Sequence, residues 1–83
     1  MKDLQMNKTE IKINELGTIT YYLNNKLHRE NGPAIIRTDG TKEYYLNGKL
    51  HREDGPAFIR PYGYKSYWLN GKKLTEKEFL GRK

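Results

Sequence analysis

The chain has 83 residues, no cysteine and a formal net charge of +6, which points to one small domain and excludes a disulfide scaffold, a thiolate metal centre and a cysteine nucleophile. Its apolar runs are short, as in Tyr21-Tyr22-Leu23 and Ala34-Ile35-Ile36, too short for a membrane-crossing helix. The charge is uneven, with residues 1–16 summing to zero, 17–39 and 40–62 to +1 each, and 63–83 to +4. That basic end suits an acidic partner or a phosphate backbone, and equally a solvated tail that keeps a small protein soluble.

Residues 1–8 carry no apolar stretch and no cleavage-like site. They read as a flexible tail and not as a signal peptide, so a soluble, cytoplasmic protein is expected. Residues 9–16 are predicted to hold an edge strand, Glu10-Ile11-Lys12-Ile13-Asn14. Beyond it the sequence repeats, and the strand falls where Pro33 to Arg37 would lie one period earlier, so it looks like half of a repeating unit.

The repeat itself is the strongest signal. Gly17, Gly40 and Gly63 recur at one constant interval, as do Tyr21, Tyr44 and Tyr67, then Tyr22, Tyr45 and Trp68, then Asn24, Asn47 and Asn70. Residues 17–39 and 40–62 agree at 16 of 23 positions without a gap. The third copy, 63–74, follows the pattern through Lys72 and then diverges.

Each copy reads as a hairpin. Tyr44-Tyr45-Leu46 is rich in strand formers and leads into Asn47-Gly48, a dipeptide suited to a type I′ turn. Asn25 replaces the glycine in the first copy, and asparagine tolerates the left-handed backbone. A two-residue turn sets Leu46 opposite Lys49, Tyr45 opposite Leu50, Tyr44 opposite His51, Glu43 opposite Arg52 and Lys42 opposite Glu53. Glu53-Asp54-Gly55-Pro56 is a turn, Ala57 to Arg60 a further short strand, and Pro61-Tyr62-Gly63 a second turn.

Residues 75–83 read as a capping helix and tail. Thr75 and Glu78 form a capping box, Leu74 and Phe79 take the staple positions, and Gly81 is a stop. So short a helix needs packing to persist, and Leu74, Phe79 and Leu80 are expected to lie on the sheet. The expected fold is therefore all-β: an antiparallel meander of three 23-residue β-hairpin repeats with a short C-terminal capping helix, in one domain.

The segment Gly-Thr-Lys-Glu-Tyr-Tyr-Leu-Asn-Gly-Lys, residues 40–49, resembles the variant MORN repeat, a short β-hairpin repeat built on Gly, Tyr-Tyr and Asn-Gly-Lys. Leu-His-Arg-Glu-Asp-Gly-Pro-Ala, residues 50–57, is similar to a subset found in small bacterial and viral proteins. The resemblance spans residues 17 to about 73. It departs at Asn25 and in the third copy, which lacks the His-Arg-Glu segment. It implies a binding or scaffolding element, such as an inhibitor or antitoxin-like binder of a larger protein.

His28-Arg29-Glu30 and His51-Arg52-Glu53 invite a catalytic or metal reading. Because the triplet recurs with the repeat, a structural requirement explains both copies, and two histidines make a thin metal inventory. No cofactor is expected, and no nucleophile–base pair suggests an enzyme. The neighbouring aromatics point to opposite faces, so each face carries an aromatic column. The expected partner surface is Tyr22, Tyr45 and Trp68, with Arg29 and Arg52 beside them and Lys72 and Lys73 at the basic end. A protein partner is the first expectation. Nucleic acid or a nucleotide, with bases stacked on the column and the basic C-terminal end along the phosphates, is the second.

Overall fold

A computed structural model describes residues 8–82, so all of the expected 1–8 tail but Lys8 lies outside the described residues. The chain is mostly antiparallel β-strand with one short C-terminal helix. The strands are β1 (Thr9–Ile13), β2 (Ile19–Leu23), β3 (Lys26–Leu27), β4 (Ile35–Ile36), β5 (Lys42–Glu43), β6 (Tyr45–Leu46), β7 (Lys49–Leu50), β8 (Phe58–Ile59), β9 (Lys65–Leu69) and β10 (Lys72–Leu74), followed by helix α1 (Glu76–Leu80). One sheet runs in the order β1-β2-β4-β5-β8-β9-β10, with β3 paired to β2, and β6-β7 form a separate two-stranded ribbon. No helix among the described residues is long and apolar enough to cross a membrane.

Turn chemistry explains the three tight connections. Asn24-Asn25, Asn47-Gly48 and Asn70-Gly71 all have positive φ at both central residues, as a type I′ turn requires. They join β2 to β3, β6 to β7 and β9 to β10, with Tyr45 opposite Leu50 and Leu46 opposite Lys49 in the middle ribbon. The edge strand forms as expected. Its pairs Ile13–Ile19 and Lys12–Thr20 match Ile36–Lys42 and Ile35–Glu43 one period later.

The predicted hairpin register holds only near the turn. Glu43 does not face Arg52, and Lys42 does not face Glu53. Both residues of β5 pair instead with Ile35 and Ile36 on one side and with Phe58 and Ile59 on the other. A strand inside a sheet has its hydrogen-bonding groups taken by two neighbours, so none remain for a third. The chain swings out of the sheet at Tyr44, whose N–H donates to Ala57 O at 2.8 Å while its carbonyl accepts from His51 N at 2.9 Å. Glu43 finds its cation elsewhere, in Arg37 at 3.1 Å.

The molecule measures 47 × 34 × 16 Å. A thickness of 16 Å leaves room for one sheet with its side chains, since stacked sheets are themselves about 10 Å apart. The apolar core is correspondingly thin: Ala34, Ile35, Ala57, Tyr67 and Phe79. α1 closes one end of it. Thr75 Oγ1 accepts from Glu78 N at 3.0 Å and Glu78 Oε1 from Thr75 N at 2.9 Å, completing the capping box. Phe79 is 3% exposed against Tyr67, with ring centroids 4.6 Å apart. Leu80, expected on the sheet, is 65% exposed, because five helical residues offer only one inward-facing stripe.

Candidate functional site

The two aromatic columns differ in what covers them. On one face Tyr21 and Tyr44 each carry an arginine, Arg29 at 3.9 Å and Arg52 at 4.1 Å from the ring centroids, and Tyr67 carries Phe79 of α1. Adjacent strand residues point to opposite sides, so Tyr22, Tyr45 and Trp68 stand on the other face. There they are half-buried. Tyr45 Oη donates to Glu43 Oε1 at 3.0 Å, and Trp68 Nε1 donates to Ser66 Oγ at 2.8 Å. Lys12 Nζ lies 5.0 Å from the Tyr22 ring centroid, and Lys73 pairs directly with Trp68 across β9-β10.

The expected surface is therefore split. Tyr22, Tyr45, Trp68 and Lys73 share a face. Lys72 is exposed opposite Leu69, one residue out of phase with Lys73. Arg29 and Arg52 belong to the opposite face and are already engaged. Arg29 Nη1 donates to Pro33 O at 3.2 Å and Arg52 Nη1 to Pro56 O at 3.1 Å. A Cβ at Gly32 or Gly55 would lie 3.1 or 3.0 Å from the arginine Cζ. The Arg and Gly-Pro of each of the first two copies thus form one device. The arginine covers a tyrosine, the glycine gives the guanidinium room, and the proline supplies a carbonyl. No chemistry beyond the chain's own cohesion is needed to explain them.

The histidines act in the same way, though by a contact that the hairpin register did not indicate. His28 Nδ1 accepts from Asn47 N and His51 Nδ1 from Asn70 N, both at 2.8 Å. Each imidazole therefore receives the backbone of the next Asn turn. Nδ1 as acceptor places the ring proton on Nε2, which lies 3.4 Å from Glu30 Oε2 in His28 and 3.3 Å from Glu53 Oε2 in His51. The turn is fastened further by Gly48 N to Leu27 O and Gly71 N to Leu50 O, each at 2.8 Å. The third copy has Leu74 at the histidine position. The constant step from His28 to Asn47 and from His51 to Asn70 was the available signal for this link.

No family model, curated protein or solved structure matches this chain. What the site does must be argued from its geometry.

Electrostatics single out Tyr45. Burial, then the neighbouring Glu43 carboxylate that its hydroxyl bonds, push its phenol up to about 12. A raised pKa means that the folded state holds this proton more tightly than the unfolded chain. The resulting stability is complete below pH 10, the ordinary tyrosine value, and is lost as pH rises through about 12. An ultraviolet titration is expected to show a late ionisation from Tyr45, and Tyr45→Phe to remove that step. An unchanged titration in Tyr45→Phe would refute the assignment. At Asp39 the Thr41 amide, bonded at 2.8 Å, lowers the carboxyl below its usual value and fixes the turn before β5.

Proposed function

We propose that the three hairpin copies form a short repeat array and that the array is a non-enzymatic protein-interaction module, in the manner of a small inhibitor or antitoxin-like binder. Its contact surface is the column Tyr22, Tyr45 and Trp68 with Lys73. The observation that carries the reading is the placement of α1. The helix packs through Phe79 on the Tyr67 face, so among the described residues no helix lies over the opposite column. Half-buried aromatics held by their own hydrogen bonds are rigid, and rigid aromatic groups lose little entropy on binding and dominate interface energetics. Arg29 and Arg52, bound to their own chain, leave the expected surface.

The test is affinity for a protein retained from lysate after nuclease treatment. Trp68→Ala is expected to cost about 2 kcal/mol or more, as at an interface hot spot, with weak salt dependence. Lys73→Gln should mainly slow association.

One observation favours a second reading. Lys26 lies beside Gly48, and Lys49 beside Gly71, so that a Cβ on either glycine would meet the lysine Cβ at 3.9 and 3.6 Å. Lys26, Lys49 and Lys72 thus follow one another along the turns. Such a row suits a polyanion, including single-stranded nucleic acid. Binding that falls steeply with salt, and that vanishes when these lysines become Gln but survives Trp68→Ala, would establish this reading and overturn the first.

A further inference from the structure

Beside Arg52 the Tyr44 face opens into a cleft of about 750 Å³, walled by Arg29 to Gly32 on one side and by Tyr44, Leu46 and residues 51–54 on the other. Moved along by one period, the same walls become Arg52 to Gly55, Tyr67, Leu69 and residues 74–77. In that second position the chain fills the space itself. Phe79 lies on Tyr67, and the Arg82 guanidinium lies 4.0 Å from the Phe79 ring centroid. Arg82 Nη1 donates to Phe79 O at 2.7 Å, and Nη2 donates to the carbonyl of Glu53 on the far wall.

In the first position the filling stops one layer short. Arg52 holds on Tyr44 the place that Phe79 holds on Tyr67. The chain then continues through Gly55 and Pro56 into β8, and no described residue returns in the manner of Arg82. The carbonyl of Glu30, counterpart of the Glu53 carbonyl, accepts no hydrogen bond among the described residues. The open cleft is the groove that α1 occupies one copy later, with its outer arginine missing.

We propose that this cleft docks an arginine-bearing segment of a partner protein, whose guanidinium takes the Glu30 carbonyl as Arg82 takes that of Glu53. The charges at its mouth fit that occupant. Glu30, Glu53 and Asp54 have side chains 75%, 77% and 88% exposed. The cations within reach, Arg29 and Arg52, are spent on tyrosine rings and proline carbonyls, and Arg52 also meets Asp54 at 3.0 Å. An incoming guanidinium gains the Glu30 carbonyl as acceptor beside three exposed carboxylates, which an acidic segment would instead have to approach. The cleft lies on the face opposite Tyr45 and Trp68, so this site stands or falls independently of the aromatic column.

The test uses the isotopically labelled full chain and a synthetic peptide with the sequence of residues 75–82, Thr-Glu-Lys-Glu-Phe-Leu-Gly-Arg, blocked at both ends. Amide shifts in an NMR titration should saturate at Glu30, Asn31 and Asp54. A peptide with Gln in place of the arginine should bind about tenfold more weakly or worse, as expected for loss of a charge-assisted hydrogen bond. Glu30→Lys combined with Asp54→Lys should abolish the response while leaving the Tyr67 and Phe79 signals in place, since both side chains are exposed. Trp68→Ala should leave it unchanged. Equal binding of the Arg and Gln peptides would overturn the proposal. So would shifts confined to Tyr67 through Arg82, which mean exchange with α1 in its own groove, or the absence of any saturable shift.

Discussion

Phe79→Ala is expected to lower folding stability by about 3–5 kcal/mol, the range for truncating a buried phenylalanine. Folded domains hold only about 5–15 kcal/mol in all, and Phe79 is one of five buried apolar residues among the described residues. The change uncovers Tyr67, removes the ring beneath Arg82, and so releases the contact from Arg82 to Glu53 O. α1 has five residues and cannot persist without that packing. Chemical denaturation of Phe79→Ala beside Leu80→Ala checks the argument. Leu80 is 65% exposed, and its truncation should fall within about 0.5 kcal/mol of wild type. Equal losses in the two variants would show that α1 is not held by Phe79.

Gly48→Val is the second large effect, expected at about 1–3 kcal/mol, the cost of forcing a residue into a sparsely populated backbone region. Gly48 has φ +83°, which a β-branched residue resists, while the space around it is open, with Lys26 Cβ 3.9 Å from a Cβ placed there. The cost is therefore one of backbone and not of clash. It spreads, because Gly48 N donates to Leu27 O and Asn47 N to His28 Nδ1, so a distorted turn also loses its hold on the preceding hairpin. Gly48→Asn should be far milder, since Asn25 already occupies the equivalent site at φ 68°. Asn25→Gly should be neutral or mildly stabilising. If denaturation shows Gly48→Val and Gly48→Asn to be equally stable, the left-handed turn is not what holds this ribbon.

Local features were legible because their causes are local. Asn-Gly and Asn-Asn dictate the type I′ turns whatever surrounds them, and so short a turn fixes the pairs next to it. Thr75 and Glu78 cap a helix through bonds closed within a single turn. The expected Arg52–Glu43 and Glu53–Lys42 pairs failed for a reason that lies outside the hairpin. β5 is an inner strand, and its hydrogen bonds belong to β4 and β8. Likewise, the triplet His-Arg-Glu was legible as structural from its recurrence, but the partners of its histidines were not. They are Asn47 and Asn70, each in the turn of the next copy.

The sequence by itself determined the strand and turn chemistry and the capped C-terminal helix. Each follows from backbone preference or from hydrogen bonds between near neighbours. Only the tertiary structure decided which face each cation joins. A guanidinium on a long, flexible stem reaches whichever ring and carbonyl the fold brings near, so Arg29 and Arg52 left the face of Tyr22, Tyr45 and Trp68 for that of Tyr21 and Tyr44. It also decided where the chain fills its own groove and where it leaves one open. That depends on Arg82 returning to Glu53 from the end of α1, a meeting across the sequence that no local rule specifies.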